Sequence, residues 1–296
     1  MAEVVLVTGG SGYIAGWCIA ELLRGGYEVR TTVRDEAKKR AVLDAVSSVV
    51  DPAGRLRFAT ADLTADEGWD AAVKGVDRVL HVASPLGAAA PGDPDAVIAP
   101  ARDGALRVLR AATGAGVRRV VMTSAANAAS PSSYATEGVT DETLWTDPDD
   151  PTLIPYRRAK TLAERAAWDF MAGHTGPTEL TTVLPGAVFG PVLTAATTGS
   201  VGIVARMVSG AMAGIPRIGL EEYGAGERPG AGGRESVGAG PRSPVRDRCT
   251  GAGARWSEAG ERSWLIPPCR AADRARGPVP RRRGGRRAIR TPGSRR

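Results

Sequence analysis

The fold is decided by residues 4–23, which read VVLVTGGSGYIAGWCIAELL. Residues 4–7 form a short apolar run, typical of a strand that is buried on both faces of a parallel sheet. A glycine-rich turn follows, and residues 14–23 carry apolar side chains at helical spacing. A strand, a glycine turn and a helix in this order predict the first unit of a dinucleotide-binding fold.

Each small residue of this turn has a predicted role. Gly9 allows the chain to turn sharply, and Gly12 allows the backbone to approach a pyrophosphate that a Cβ atom would hit. The amides that open the helix then point at the phosphates, and the helix dipole favours the negative charge. The third small position is Ala15, and Gly16 takes its place if the register shifts by one residue. A glycine-rich turn without a ligand is the alternative interpretation.

Composition limits the class of protein. With 296 residues and 43% apolar content, the chain can form one large domain or two small ones around a buried core. No apolar run approaches the ~20 residues that span a bilayer, and no basic segment precedes the first apolar run, so we expect neither a membrane span nor a secretory signal. Cys18, Cys249 and Cys269 are too far apart for a metal site or a disulfide framework. We therefore predict no metal and a reducing, cytoplasmic location.

Apolar runs alternate with helical patterns along residues 1–184. The sequence predicts strands at 4–7, 27–33, 55–60, 77–85, 118–124 and 180–184. It predicts helices at 14–23, 36–49, 66–74, 94–113 and 161–170. Such alternation predicts an α/β fold with a doubly wound parallel sheet of the Rossmann type.

The residues after the second and third strands predict the cofactor. In this fold the residue after strand two lies beside the adenosine ribose, where a carboxylate binds the 2′-hydroxyl and an arginine binds a 2′-phosphate. Arg34 follows strand two, with Lys38, Lys39 and Arg40 close behind, so we predict NADP(H) over NAD. A solvated basic start of a helix is the alternative. Asp62 follows strand three, where its carboxylate could meet the adenine amino group.

Eight stretches carry a resemblance to a known family and together cover most of residues 1–192: Thr8–Ile14, Thr31–Asp35, Ala61–Leu63, Gly68–Pro85, Pro100–Leu109, Val120–Ser124, Tyr156–Trp168 and Leu184–Pro191. On these residues the chain resembles the extended short-chain dehydrogenases/reductases of the NAD-dependent epimerase/dehydratase superfamily. Within that group it is similar to the dihydroflavonol-reductase and cinnamoyl-CoA-reductase branch and to bacterial NADPH-dependent aldehyde reductases.

The predicted chemistry rests on the segment Tyr156-Arg157-Arg158-Ala159-Lys160. Four residues are about one helical turn, so Tyr156 and Lys160 share a helix face. A free tyrosine titrates at about 10, and a nearby ammonium stabilises the phenolate and lowers that pKa. Tyr156 then donates a proton to a carbonyl oxygen as hydride reaches the carbonyl carbon. Lys160 is also expected to hold the nicotinamide ribose.

The resemblance implies a serine after strand five that hydrogen-bonds the substrate carbonyl, and here the chain departs from its relatives. Relatives have Thr-Ser-Ser with the second serine catalytic, whereas this chain has Thr123-Ser124-Ala125. We expect Ser124 to take the catalytic role after a small shift. The alternatives are Thr123, Ser130, Ser132 and Ser133. Loss of such a donor costs on the order of 10²–10³ in rate.

The resemblance also extends the cofactor site. Beside the residues already named, it implies contacts from Tyr13, Ile14, Leu63, Ala83, Ser84, Thr123, Tyr156, Lys160, Pro185 and Val188. The proline turn at 185–191 is expected to line the nicotinamide, and the loop at 126–155 is expected to lie near the substrate. His81, inside strand four, is expected to be a packed residue and not a catalyst.

Charge divides the chain into two chemically different parts. Residues 221–296 contain 18 Arg, no Lys and 8 acidic residues, a formal charge of +10, which leaves −3 for residues 1–220. From residue 221 onward we find neither helical nor strand periodicity. We therefore predict an NADP-binding Rossmann domain over residues 1–220, an incomplete C-terminal substrate lobe, and a disordered tail over residues 221–296.

Three hypotheses account for the tail. It is a disordered basic extension, it binds nucleic acid through phosphate contacts, or it is an out-of-frame translation of a GC-rich gene. We favour the last hypothesis, because the family pattern ends abruptly and lysine is absent from this part of the chain. Nucleic-acid binding is the least favoured, since only Trp256 and Trp264 are available to stack on bases.

These features predict an NADPH-dependent oxidoreductase that reduces an aldehyde or ketone carbonyl to an alcohol. A nucleotide-sugar epimerase or dehydratase is the alternative enzyme, although Arg34 and the absence of arginine from the loop at 126–155 argue against it. A non-catalytic NADP-binding protein is the other alternative, favoured by Ala125 and by the tail. The expected partner is a small carbonyl compound, with no membrane contact, and the sequence leaves a homodimer open.

Overall fold

The computed structural model describes residues 2–85, 93–131, 143–193, 199–212 and 248–249. In this part of the chain the strands form one sheet, in which every neighbouring pair is parallel. Their spatial order is β3-β2-β1-β4-β5-β6-β7. The strands are β1 (Val4–Val7), β2 (Glu28–Val33), β3 (Leu56–Thr60), β4 (Arg78–His81), β5 (Arg119–Thr123), β6 (Glu179–Val183) and β7 (Arg248–Cys249).

Helices connect the strands and cover both faces of the sheet. They are α1 (Tyr13–Arg24), α2 (Glu36–Ser47), α3 (Trp69–Val73), α4 (Ile98–Gly114), α5 (Pro155–Ala172) and α6 (Gly199–Val208). Two short 3₁₀ turns, Pro94–Val97 and Ala126–Ala129, precede α4 and follow β5. The order of strands and the crossover helices confirm the predicted doubly wound Rossmann sheet.

The sheet separates two apolar cores. Leu6 of β1 belongs to a buried cluster that includes Leu109 of α4 and side chains of α3 and α5. The next residue, Val7, belongs to a second cluster with Ile19 of α1 and Val42 of α2. Successive side chains of a strand point to opposite faces, and both faces are covered here. This explains why the central strand is apolar at consecutive positions and does not alternate.

The start of α5 differs from the sequence prediction. The apolar pattern predicts a helix over 161–170, whereas the helix begins at Pro155 and continues to Ala172. Proline suits the first helical position because its fixed φ is helical and its missing N–H has no partner there anyway. Ile154 before it is extended, with φ −66° and ψ 147°. Tyr156 and Lys160 therefore lie inside one helix, within its first two turns.

The C-terminal part of the chain contains a strand that the sequence pattern does not predict. Arg248 and Cys249 pair in parallel with Thr182 and Val183 of β6, in a part of the chain whose sequence carries no strand periodicity. The other tail residues lie outside the described part, and the division at residue 220 stays a prediction. None of the helices described has both the length and the apolar character that crossing a bilayer requires.

Candidate active site

The glycine turn connects β1 to α1 at the carboxyl edge of the sheet. Gly9 has a φ of +72°, in the left-handed region, and a Cβ atom there would lie 2.8 Å from the Cβ of Ala83. Its N–H donates to Thr32 Oγ1 at 2.8 Å. Gly12 is exposed and caps α1 without a side-chain hydrogen bond to the helix. The first amides of α1 are therefore available to an anion at this edge.

Two neighbouring small residues have roles that the motif alone does not assign. A Cβ atom on Gly10 would overlap the side chain of Thr31, so Gly10 is required by the packing of β1 against β2. Ala15 is buried in the core between the sheet and α1. Gly16 instead faces Leu193, whose Cδ1 would be 3.2 Å from a Cβ atom. Ala15 is therefore the residue at the helix–strand contact, and the register does not shift.

The basic residues after β2 differ in their partners. Lys39 pairs with Glu36, Nζ to Oε1, at 2.6 Å, and Arg40 pairs with Asp44 within the same helix. The carboxylate of Asp35 caps α2 by accepting the Lys38 amide at 3.0 Å, which turns it to the helix and not to a ribose. Arg34 and Lys38 are exposed, and no ion pair of either side chain occurs among the described residues. Both side chains can therefore meet a phosphate, although the charge of Arg34 also contributes to the lowered pKa of Asp62.

The residues at the ends of β3 and β4 lie at the same edge. One oxygen of Asp62, Oδ1, accepts hydrogen bonds from the amide and hydroxyl of Thr64, both at 2.8 Å, and these bonds lower the pKa of Asp62. Leu63 is buried in close contact with Gly104 of α4. Ser84 is half-buried. Any cofactor contact of Leu63 must therefore use its backbone, because its side chain belongs to the core.

Tyr156 and Lys160 lie one turn apart on α5, as the spacing predicts. Lys160 is 7% exposed, and its Nζ donates to the carbonyl oxygen of Thr123, at the end of β5, over 3.4 Å. Burial lowers the pKa of Lys160 to about 8, and the carboxylate of Glu164 acts against that shift. The ammonium is thus held at the carboxyl edge and titrates within reach of physiological pH.

The pKa of Tyr156 does not shift in the direction that the neighbouring Lys160 predicts. Tyr156 is half-buried, and burial raises the pKa of its phenol above the ordinary value. The predicted lowering of the pKa of Tyr156 is therefore wrong, because its pKa is raised. The physical reason is that loss of hydration disfavours the phenolate, while the ammonium of Lys160 is directed at the Thr123 carbonyl.

A buried carboxylate lies one turn beyond Lys160. Glu164 is 0% exposed and accepts hydrogen bonds from Ser124 Oγ at 2.6 Å, Thr182 Oγ1 at 3.0 Å and Trp168 Nε1 at 3.4 Å. These bonds join α5 to the ends of β5 and β6. Ser124 thus gives its hydroxyl proton to Glu164 in this structure, and its expected role as donor to a substrate carbonyl stays a prediction.

The other residues that could replace the missing serine are described only in part, and their catalytic roles stay predictions. Ala125 is 5% exposed, and the hydroxyl of Ser130 donates to the Ala126 carbonyl at 2.8 Å. Ser132 and Ser133 lie outside the described residues. The turn after β6 is fixed by the Ala126 amide, which donates to the Pro185 carbonyl at 2.9 Å. Val188 in this turn is half-buried, and its expected contact with the nicotinamide stays a prediction.

His81 forms a buried pair with Thr8 between β4 and β1. Its Nδ1 lies 3.0 Å from Thr8 Oγ1, and that oxygen accepts from the amides of Val82 and Ala83. With both lone pairs used, the Thr8 hydroxyl donates to Nδ1, so the imidazole carries its proton on Nε2. Burial, with a smaller effect of Lys160, lowers the pKa of His81 to about 3. The prediction that His81 is a packed residue is confirmed.

Glu164 and Thr8 are the polar residues of this edge that the sequence analysis missed. Glu164 follows Lys160 by four residues on a helix face whose neighbours are alanine and tryptophan. An acidic residue at such a position is the signal that could have revealed it. Among the described residues, no cluster of three or more His, Cys, Asp or Glu side chains is arranged to bind a metal.

A sequence profile described as "NAD dependent epimerase/dehydratase family" matches residues 5–228. The chain belongs to this family. It is 35% identical over 215 residues to anthocyanidin reductase of Vitis vinifera, which takes in 70% of this chain and 62% of that protein. It is 37% identical over 212 residues to cinnamoyl-CoA reductase 1 of Petunia hybrida, with 70% of this chain and 61% of that protein covered.

Among solved structures of this family, Gre2 of Candida albicans in complex with NADPH has a TM-score of 0.61 and 27% identity over 68% of this chain and 64% of that one. The chain therefore spans less than two thirds of the length of these relatives. The comparisons confirm the predicted resemblance to extended short-chain reductases, and the plant relatives are named as reductases.

Proposed function

We propose that this chain is an NADPH-dependent reductase that converts an aldehyde or ketone carbonyl into an alcohol. The observation that carries the proposal is the pair Tyr156 and Lys160, one turn apart on α5, with the Lys160 ammonium held at the end of β5. Membership of a family that includes reductases supports it.

The residues of the chain fit the phosphates of a dinucleotide. Gly12 caps α1 without a side chain, so the helix amides are open to a pyrophosphate. Arg34, which lies before α2, and Lys38, in its first turn, form no ion pair among the described residues, which favours a 2′-phosphate and hence NADP(H) over NAD. NADPH, when bound, supplies hydride to the carbonyl carbon.

The protein residues move the proton and hold the charge. Tyr156 donates its phenolic proton to the carbonyl oxygen as negative charge develops there. The protonated Lys160 favours the resulting phenolate, and Glu164 helps to keep Lys160 protonated within its buried surroundings. Burial of the tyrosine keeps its hydroxyl protonated until a substrate oxygen accepts the proton.

The absence of a serine at position 125 favours a second candidate, a non-catalytic NADP-binding protein. Ala125 offers no hydroxyl, and the hydroxyl of Ser124 is bonded to Glu164. A missing donor of this kind lowers the rate by roughly 10²–10³. We therefore expect turnover that is slow for a reductase of this kind.

The test is oxidation of NADPH by the purified full chain with a panel of aromatic and aliphatic aldehydes. Tyr156→Phe removes the proton donor, and Tyr27→Phe, at a half-buried tyrosine beside the other core, is the matched control. Turnover that disappears in Tyr156→Phe and persists in Tyr27→Phe supports the reductase. Binding of NADPH without turnover in the wild type supports the non-catalytic candidate, and equal turnover in both variants rejects the role of Tyr156.

A further inference from the structure

Arg157, the residue after the proposed proton donor, has one side of its guanidinium without a partner. Its Nε and Nη2 are buried, and no described residue accepts a hydrogen bond from either. A charged donor that is removed from water without an acceptor is destabilising, so such groups are normally paired. Something other than the described residues is therefore expected to supply the acceptor.

The two free nitrogens are adjacent donors on the same edge of the guanidinium. Nε–H and one Nη2–H point in parallel, which matches the two oxygens of a carboxylate or two oxygens of a phosphate. This bidentate contact is the geometry for which arginine is better suited than lysine. These two parallel donors, together with the charge of the guanidinium, therefore suit an oxyanion best.

The other arginines of α5 have partners. Arg158 Nε donates to the Pro148 carbonyl at 2.9 Å. Arg165 Nη2 donates to the Thr146 carbonyl at 3.2 Å, and its guanidinium lies 5.2 Å from the ring centroid of Trp145. Arg158 and Arg165 therefore bind the segment before α5, whereas Nε and Nη2 of Arg157 have no acceptor among the described residues.

Arg157 lies at the carboxyl edge of the sheet. A helix that connects parallel strands runs antiparallel to them, so the first turn of α5 lies at the carboxyl edge of β5 and β6. Thr161 and Glu164 follow on the same helix face, and Glu164 contacts Ser124 and Thr182 at the ends of those strands. Arg157 is therefore beyond these strand ends and beside Tyr156.

We propose that Arg157 is the subsite for an oxyanion of the substrate, so that the carbonyl compound reduced here is an anionic aldehyde or ketone bearing a carboxylate or a phosphate. The assignment of the carbonyl rests on the proposed function, whereas the anion subsite does not. Arg157 acts by orienting the substrate, with its anionic group on the guanidinium edge and its carbonyl toward the phenol of Tyr156.

The test compares pairs of aldehydes that differ only in charge. One pair is 4-carboxybenzaldehyde and its methyl ester, and the other is glyceraldehyde 3-phosphate and glyceraldehyde. The first pair tests whether the subsite recognises a carboxylate, and the second pair tests whether it recognises a phosphate. In the wild-type chain we expect kcat/KM to be higher for the anionic member of at least one pair.

Arg157→Met removes the positive charge, and Arg157→Lys keeps the charge but removes the two parallel N–H donors. We expect the anionic-to-neutral ratio of kcat/KM to fall about 10- to 100-fold in Arg157→Met, as for loss of a charged hydrogen bond, and by less in Arg157→Lys. Arg158→Met changes the net charge equally and should keep the wild-type ratio. A ratio that is the same in wild type and Arg157→Met overturns the subsite.

A binding measurement separates failure of the subsite from failure of the proposed function. Calorimetry of 4-(hydroxymethyl)benzoate with the full chain and NADP⁺ needs no turnover, and we expect binding that Arg157→Met weakens about 10- to 100-fold. Such binding without any turnover rejects the reductase and retains the subsite. Equal binding by wild type and Arg157→Met rejects the subsite.

Urea denaturation of the full chain tests for an acidic partner within the protein. Arg157→Met removes an unpaired charge and should leave the midpoint unchanged or raise it, whereas Arg158→Met loses a hydrogen bond and should lower it. If Arg157→Met lowers the midpoint as much as Arg158→Met does, an internal group holds the guanidinium and the proposal is wrong.

Discussion

The two edges of the sheet place polar residues in opposite surroundings, although the same strands contribute to both. At the amino edge, Glu3 pairs with Arg118 at 2.5 Å and with Arg78 at 3.1 Å, and all three side chains are partly exposed. At the carboxyl edge, four polar residues are buried and hydrogen-bonded within the protein: Thr8, His81, Lys160 and Glu164.

The pKa values at the two edges differ for the same reason. The hydrogen bonds from Arg118 and Arg78 lower the pKa of Glu3, which stays charged as it would in water. Burial, with a smaller effect of Lys160, lowers the pKa of His81 to about 3. Burial also lowers the pKa of Lys160 to about 8, because the lost hydration outweighs the opposite charge of Glu164. Burial therefore shifts the pKa of His81 and Lys160 at the carboxyl edge, whereas hydrogen bonds from arginine shift that of Glu3 at the amino edge.

The largest effect is expected when the buried ammonium is removed. Lys160→Met should lower kcat/KM for carbonyl reduction by about 10²–10⁴, because the positive charge that we propose to favour the phenolate of Tyr156 is then lost. The exposed Lys74→Met is the matched control and should retain activity. Steady-state oxidation of NADPH measures the activity of both variants. If Lys160→Met were as active as Lys74→Met, the ammonium of Lys160 would not be the charge that favours the phenolate.

The next effect concerns the stability of the buried edge. Glu164→Leu should lower the free energy of unfolding by about 3–5 kcal/mol, because Ser124, Thr182 and Trp168 lose their shared acceptor. The triple variant with Ser124→Ala and Thr182→Val should recover part of the loss, since the orphaned hydroxyls are gone. Urea denaturation checks this, and a triple variant less stable than Glu164→Leu would contradict it.

The buried histidine predicts a pH dependence of stability. His81 binds its proton at about 3 in the folded state and has an ordinary pKa of 6.5, so between these values only the unfolded chain takes up the proton. Stability is therefore lost as the pH falls through this window, by up to about 1.4 kcal/mol per pH unit from this group. His81→Asn should flatten the dependence.

The same histidine can be observed directly. The chain contains two histidines, His81 and His174, so their imidazole signals in NMR are easily separated. We expect the imidazole of His81 to keep its proton on Nε2 and to remain neutral at pH 5. Titration of the His81 ring near the ordinary pKa of histidine would show that His81 is hydrated.

The smallest effect is expected at the amino edge. Glu3→Gln breaks two partly exposed ion pairs and should cost about 0.2–1 kcal/mol in the free energy of unfolding. Molar salt should remove most of that difference, because such pairs are screened. Urea denaturation at low and high salt measures the change, and a cost as large as that of Glu164→Leu would mean that burial does not distinguish the two edges.

The sequence alone predicted the sheet, the glycine turn and the pair Tyr156–Lys160. These features are local: strands and helices follow from periodicity, and an i, i+4 pair shares a face whatever the rest of the chain does. Gly9 is similar, because its positive φ belongs to the turn itself. The basic residues after β2 and the helix that carries most of them are also features of the sequence, but the ion pairs of Lys39 and Arg40 within that helix are not.

The tertiary structure decided the direction in which polar side chains point and the pKa values that result. Ser124 precedes Ala125 by one residue, yet only the packing of α5 on β5 and β6 turns its hydroxyl to Glu164. Burial, which raises the pKa of Tyr156 and lowers that of Lys160, depends on residues far away in the chain. Residue types and spacing are properties of the sequence, but hydration and hydrogen-bond partners arise only when distant segments meet.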